Sequence, residues 1–161
     1  MIEVVITKDQ VDRAEKMTEE ISNLKNSVTK GKSAIFGTLG EVIISDYFKD
    51  KALVEDVNTY NFDMKINGKK IEVKSKKTTV VPREHYTCTV FGYNTTQKCD
   101  YYVFARIRED FSKGYILGYL AKKEFYSVAT KRMRGVDYDG IKTPADCYNI
   151  TISQLKKFKS K

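Results

Sequence analysis

Three side chains near the middle of the chain, Asp63, Glu72 and Lys74, have the types and spacing for phosphodiester chemistry. Between the first two lies Asn67-Gly68, the dipeptide that most strongly specifies a tight turn between antiparallel strands. With these two residues in the turn, Ile66 pairs with Lys69, and counting outward sets Asp63 directly across from Glu72. Opposed residues in a sheet have Cβ atoms roughly 4.5–5.5 Å apart, so two carboxylates there repel unless a cation neutralises them. A lysine can do so. So can a hard divalent ion such as Mg²⁺, which takes a few carboxylate oxygens, waters and phosphate, with Mn²⁺ as a substitute. Cleaving a phosphodiester needs an activated water and stabilised charge on the phosphoryl oxygens and leaving group, and a bound metal serves both needs. Lys74, two positions past Glu72 and on its face, is placed to orient or help deprotonate the water and to offset developing negative charge.

The hairpin must then have two unlike faces. Alternation puts Phe62, Met64, Ile66, Ile71 and Val73 on a core face, and Asp63, Lys65, Lys70, Glu72, Lys74 and Lys76 on the other. Upstream, the segment AIFGTLGEVIISDYFKD, from about residue 34 to 50, is apolar nearly all round and predicts a helix packed in the interior, with Ser33 near its cap. Glu41 stands out in it. Its helical neighbours Gly37, Thr38, Ile44, Ser45 and Phe48 supply no cation, so it becomes a further carboxylate for the site if this helix packs beside the hairpin.

Other elements follow from period and punctuation. Residues 2 to 6 are β-prone, and Thr7 with Gln10 forms a capping-box signature for a helix to about residue 28. Its stripe is Val11, Ala14, Met17, Ile21 and Leu24, while Lys16, Glu19, Glu20 and Lys25 face water. The Gly-Lys-Ser in Thr29–Ser33 lacks the earlier glycine and the preceding strand of a phosphate loop, and is read as a linker. Strands are expected near 52–58, 60–66, 69–76, 100–108 and 114–121, with a turn carrying Ser112, Lys113 and Gly114. Between 76 and 98 the chain reads as a loop holding at most a short strand or helix. Towards the end come a short helix over 122–127, an irregular basic segment over 129–145, a strand over 147–152 and a terminal helix over 153–159.

With 161 residues the chain is one domain in size. Hydrophobic residues at 41% and charged residues at 31% suit a globular protein rather than a disordered tail. No stretch approaches the roughly 18 apolar residues of a membrane span, and MIEVVITKDQ lacks the features of a secretory signal, which predicts an intracellular, cytoplasmic protein with no membrane partner. Cys88, Cys99 and Cys147 are odd in number and widely spaced, arguing against disulfides or zinc, and the sequons at Asn94 and Asn149 carry no weight without export. The net charge of +8 favours a polyanionic partner such as DNA or RNA, although solubility is its plainer use. Candidate phosphate contacts are Lys76, Lys77, Arg83 and Lys98 around the site, and Lys131, Arg132 and Arg134 in the basic segment. Tyr86, Tyr93, Tyr101 and Tyr102 are read as packing residues, Gln97 as an ordinary loop glutamine and His85 as a loop or substrate contact.

Asp63 followed by Glu72-Val73-Lys74, with helical Glu41 upstream, resembles the PD-(D/E)XK nuclease superfamily over roughly residues 34 to 120. The resemblance implies an α/β, restriction-endonuclease-like fold: a central mixed β-sheet flanked by helices, with a core over 34–121, an N-terminal strand and helix over 1–33 and a C-terminal extension over 122–161. It implies that Asp63 and Glu72 bind metal, that Lys74 assists the water and that Glu41 is an additional metal-site residue; Phe62 stands where the motif's proline would be. The stretch from IEVKSKK to DYYVFARI, with GYILGYLAKKEF and ADCYNITISQL, is also similar to small nuclease-like proteins of large bacteriophages. The expectation is a Mg²⁺-dependent DNA endonuclease, oligomeric and phage-type, and within that class a free-standing homing enzyme. An inactive nucleic-acid-binding protein of the same fold, or a restriction, repair, junction-cleaving or RNA-cleaving nuclease, remains open.

Overall fold

The computed structural model describes residues 1–23 and 33–159. It opens with β1 (Ile2–Val5), which leads into α1 (Lys8–Asn23). The expected capping box is present: the Gln10 N–H donates to Thr7 Oγ1 at 3.2 Å, and the Thr7 N–H donates to Gln10 Oε1 at 3.0 Å. Val11, Ala14 and Met17 pack inward as expected, but Ile21 is exposed. Leu24, the expected end of this helix near residue 28 and the Gly31-Lys32 linker lie outside the described residues. Next comes α2 (Ala34–Lys49), with Leu39, Val42, Ile43 and Ile44 buried. Ser33 precedes it but already has helical backbone angles and makes no side-chain cap bond, so it does not cap as expected.

Six strands form the main sheet: β1, then β2 (Val54–Asp56), β3 (Met64–Ile66), β4 (Lys69–Thr78), β6 (Tyr101–Arg108) and β7 (Lys113–Ala121), in the order β1-β7-β6-β4-β3-β2. Every neighbouring pair is antiparallel except β4 and β6, which run parallel, so the protein is a mixed α/β molecule. A parallel pair needs a long crossover, usually a helix. Here the crossover contains β5 (Thr87–Phe91) and a 3₁₀ turn over Gly92–Asn94. Instead of covering the sheet with a helix, β5 joins a second, three-stranded sheet with β11 (Cys147–Thr151) and β8 (Thr130–Arg132), in the order β5-β11-β8.

Alternation along the central strands sorts the core into two layers. Val103, Ala105, Ile107 and Ile116 face α1 and α2, whereas Tyr102, Phe104, Tyr115 and Leu117 face the second sheet and α3 (Lys122–Val128). Two helices therefore cover one face of the main sheet, and the other face is covered largely by strands. The three cysteines are buried free thiols. No helix among the described residues is long and apolar enough to cross a membrane.

Three expectations fail locally. Residues 129–145 are not irregular: they contain β8 and a hairpin of β9 (Asp137–Tyr138) and β10 (Ile141–Lys142), turned by Asp139 and Gly140 at φ of 55° and 79°. Residues 153–159 form no terminal helix. After a 3₁₀ turn over Ile152–Gln154 the chain extends, and Lys156 exchanges backbone hydrogen bonds with Tyr119 at 2.9 and 3.0 Å. A helix this short gains little on its own, whereas the extended path puts Leu155 in one core layer and Phe158 in the other. Lys113 and Gly114 belong to β7, and the turn before it is made by Glu109–Ser112, with Phe111 at φ 56°.

Candidate active site

The Asn67-Gly68 turn forms as its residues dictate, with φ of 48° and 75°. Ile66 pairs with Lys69, Lys65 with Lys70 and Met64 with Ile71. Strand β3 ends one residue short of Asp63, but the chain stays locked to β4. The Asp63 N–H donates to the Ile71 carbonyl at 2.9 Å, and the Asp63 carboxylate accepts the Val73 N–H at 2.7 Å. These bonds hold Asp63 alongside Ile71–Val73, but the paired register ends at Met64 and Ile71, one step before the expected Asp63–Glu72 pair, so Asp63 is placed by its own hydrogen bonds and not by the ladder. The Asp63 carbonyl in turn accepts the N–H groups of Val57 and Asn58, at 2.9 and 2.8 Å, which anchors the loop preceding the aspartate.

Phe62 does not follow the alternation. It packs against the layer containing Tyr102 and Phe104, opposite Met64, because the pleat ends at Met64 and a period of two no longer applies before it. The face opposite the core face is also covered, by this layer. Glu72 is 5% exposed there. Its Oε1 accepts hydrogen bonds from Lys74 Nζ at 2.6 Å and Gln97 Nε2 at 2.8 Å. Its Oε2 is buried without a hydrogen-bond partner.

Gln97 is thus no ordinary loop glutamine. Only 4% exposed, it also donates to the Tyr60 carbonyl at 2.7 Å, and its Oε1 lies 3.4 Å from Lys74 Nζ. Lys122, the first residue of α3, holds the loop by donating to the carbonyls of Thr95 and Gln97. No periodic signal marks Gln97; the available clue was a polar residue just before the strand that neighbours Glu72.

Glu41 comes to this place from α2. It is half-buried and lines a cleft of about 330 Å³ with Asp63, Glu20, Met17, Asn58 and Thr59. Burial, and after it the Glu72 carboxylate, pushes the Glu41 carboxyl from 4.5 up to about 7, against an opposing pull from Lys74. Asp63 is raised well above the carboxylate range by burial and then by Glu41 and Glu72, despite the Val73 N–H and Lys74. Three carboxylates therefore act on one another beside one ammonium. Glu20, read from sequence as facing water, lines the same cleft and is a further acid near the opening.

No group of three or more His, Cys, Asp or Glu among the described residues is already drawn to metal-ligand spacing. The donor set nevertheless suits a hard cation: Mg²⁺ needs only one or two carboxylates besides water and phosphate, and Glu72 Oε2 is a buried acceptor with nothing to accept. Of the candidate phosphate contacts, Lys76 shares the β4 row with Glu72 and Lys74. Lys77 is exposed and pairs with Glu109 at 3.2 Å, and Arg83 and Lys98 are exposed in loops. Lys131 and Arg132 lie on β8, against the rings of Tyr148 and Tyr138, and Arg134 follows. Tyr102 is fully buried and Tyr101 packs against Tyr119, as expected, whereas Tyr93 is 57% exposed beside Phe91. The chain matches no protein-family model, and no curated protein matches it.

Proposed function

We propose that this protein is a Mg²⁺-dependent DNA endonuclease of the PD-(D/E)XK, restriction-endonuclease-like type. The observation that carries the proposal is Glu72: a buried carboxylate with one oxygen held by Lys74 and Gln97, the other unpartnered, and Asp63 locked beside it. Asp63 and Glu72 would hold the metal, with Glu41 as the additional acid. When bound, the metal supplies an acidified water and charge stabilisation at the phosphoryl oxygens.

The chain's own residues do the rest. The Val73 N–H fixes one Asp63 oxygen and leaves the other available. Gln97 fixes the Glu72 carboxylate and keeps Lys74 within reach. Lys74 carries the positive charge nearest these acids, where it can orient the attacking water and offset charge on the phosphate. Glu41, with its carboxyl near 7, can hold or release a proton around neutral pH.

A net charge of +8 supports a polyanionic substrate. The phage-type, free-standing homing role belongs to the same proposal, as does a homo-oligomer: one site cuts one strand, and a symmetric pair reaches both. One observation favours a second reading, an inactive nucleic-acid-binding protein of this fold. The Lys74 ammonium already neutralises Glu72 at 2.6 Å. Incubation of plasmid DNA and of a matched RNA with Mg²⁺ or Mn²⁺, beside Asp63→Ala and Lys74→Ala, separates the two. DNA cleavage lost in both variants is expected. Binding without cleavage in either metal favours the inactive protein, and cleavage confined to RNA overturns the substrate.

A further inference from the structure

Beyond Lys74 the β4 row continues into a second pocket, which holds two further cations. Lys76 is the register partner of Arg106 on the parallel strand β6, so both side chains leave the sheet together on the face that carries Glu72. They line a pocket of about 110 Å³ with Lys74, Thr87 and Thr89 on its polar side and Phe91, Phe104 and Leu117 as apolar lining. That volume admits several water-sized groups, enough for a tetrahedral oxyanion.

Both cations have donors to spare. Lys76 Nζ donates to Thr89 Oγ1 at 2.6 Å, and an ammonium has three protons. Arg106 donates through one terminal nitrogen to the Thr87 carbonyl at 2.9 Å, while its Nε is buried without a hydrogen-bond partner. Its guanidinium lies over the Tyr86 ring at 5.2 Å, which orients it. No carboxylate among the described residues forms an ion pair with either side chain. Cys88 supplies no anion, because burial pushes its thiol up to about 11. Burial and the neighbouring Arg106 draw Lys76 below its ordinary value. Two half-buried like charges with an orphaned N–H call for an anion.

We propose that Lys76 and Arg106 form a phosphate subsite, contiguous with Lys74, that holds the nucleic acid by a phosphate next to the one being cut. Its role in cleavage rests on the nuclease proposal above. Two residues along a strand span about 6.6 Å, the same order as the step between successive phosphates of one strand. The phosphate is either an internal diester or a free 5′ end.

The test is fluorescence anisotropy with labelled DNA duplexes bearing a 5′-phosphate or a 5′-hydroxyl, in EDTA so that nothing is cut, with inorganic phosphate as competitor. Lys76→Met and Arg106→Gln are each expected to weaken binding about tenfold, the loss of one charge-assisted contact, and to lower the salt slope by about 0.9. Lys76→Arg keeps the charge and should bind within about twofold of wild type, which a purely structural loss would not permit. Equal weakening for both duplexes assigns an internal phosphate. A wild-type preference for the 5′-phosphate, abolished in Lys76→Met, assigns a terminal one. Wild-type affinity in both Lys76→Met and Arg106→Gln, or no binding by wild type, overturns the subsite. Plasmid cleavage in Mg²⁺, run separately, distinguishes the failures. Cleavage with unchanged binding in the variants sinks the subsite alone, and no cleavage with binding still dependent on Lys76 and Arg106 sinks the nuclease alone.

Discussion

Among individual residues, Glu41 and Asp63 give the most direct handle on the site. The Glu41 carboxyl is near 7 in the folded protein against an ordinary 4.5, so between these values the folded state keeps a proton that the unfolded chain has lost. The metal-free protein should therefore be most stable below about pH 4.5 with respect to this group and lose that contribution as pH rises to about 7, with Asp63 acting in the same direction. Thermal unfolding in EDTA at a series of pH values checks this. Glu41→Gln should flatten the slope, and Mg²⁺ should raise Tm more at about pH 8 than at about pH 5. A Tm that rises with pH across the window speaks against it. Gln97 makes a second prediction. Gln97→Leu frees Glu72 and Lys74 from their shared partner, and a supporting residue of this kind is typically worth about 10–100-fold in metal affinity or activity. Titration calorimetry with Mg²⁺ and cleavage rates measure both. Gln97 was the residue least legible in the sequence, since its role depends on a loop closed by Lys122 from a different element. The pairing from Met64 to Ile71 was legible because a two-residue turn fixes register by counting, whereas the place of Asp63 was not, since it is set beyond the ladder by hydrogen bonds to Ile71 and Val73.

At the level of elements, the site depends on how closely α2 approaches β4. A Cβ added at Gly40 would stand 2.8 Å from Ser75 Cβ and 1.7 Å from Ser75 Oγ, so only glycine lets the helix lie against the strand here. Gly40→Ala should destabilise the fold by about 1–3 kcal/mol and shift Glu41, its neighbour. Ser75→Gly in the same chain should recover part of that loss in chemical denaturation, whereas equal stability of Gly40→Ala and wild type would deny the close contact. The main strands could be read from period, α1 from its stripe and capping box, and α2 from its apolar run, although Ser33 does not cap it. Phe62 could not, because its strand stops at Met64. Strand β8 could not either: Thr130-Lys131-Arg132 has no apolar alternation, and its place is set by pairing with β11, distant in sequence. Asp139-Gly140 did carry a turn signal, but the strands it joins have two residues each.

For the whole molecule, composition pointed to a basic globular protein, and neither the α/β class nor the layering could be read from it. The net charge of +8 predicts DNA affinity that falls steeply with salt, measurable by filter binding over a salt series; affinity indifferent to salt would remove phosphate contacts as its basis. A crossover built from β5 rather than a long helix places a second sheet over the Glu72 face, burying one carboxylate while Glu41 and Asp63 meet a cleft from the α1 side. That arrangement separates two openings, an acidic one beside α1 and a basic one lined by Lys74, Lys76 and Arg106. The most direct test of the central claim is single-turnover plasmid cleavage in Mg²⁺ by Asp63→Asn, which keeps the shape but removes the charge. A rate lowered by at least about a hundredfold relative to wild type, with the fold intact by circular dichroism, is the expected result. Cleavage at the wild-type rate would contradict it.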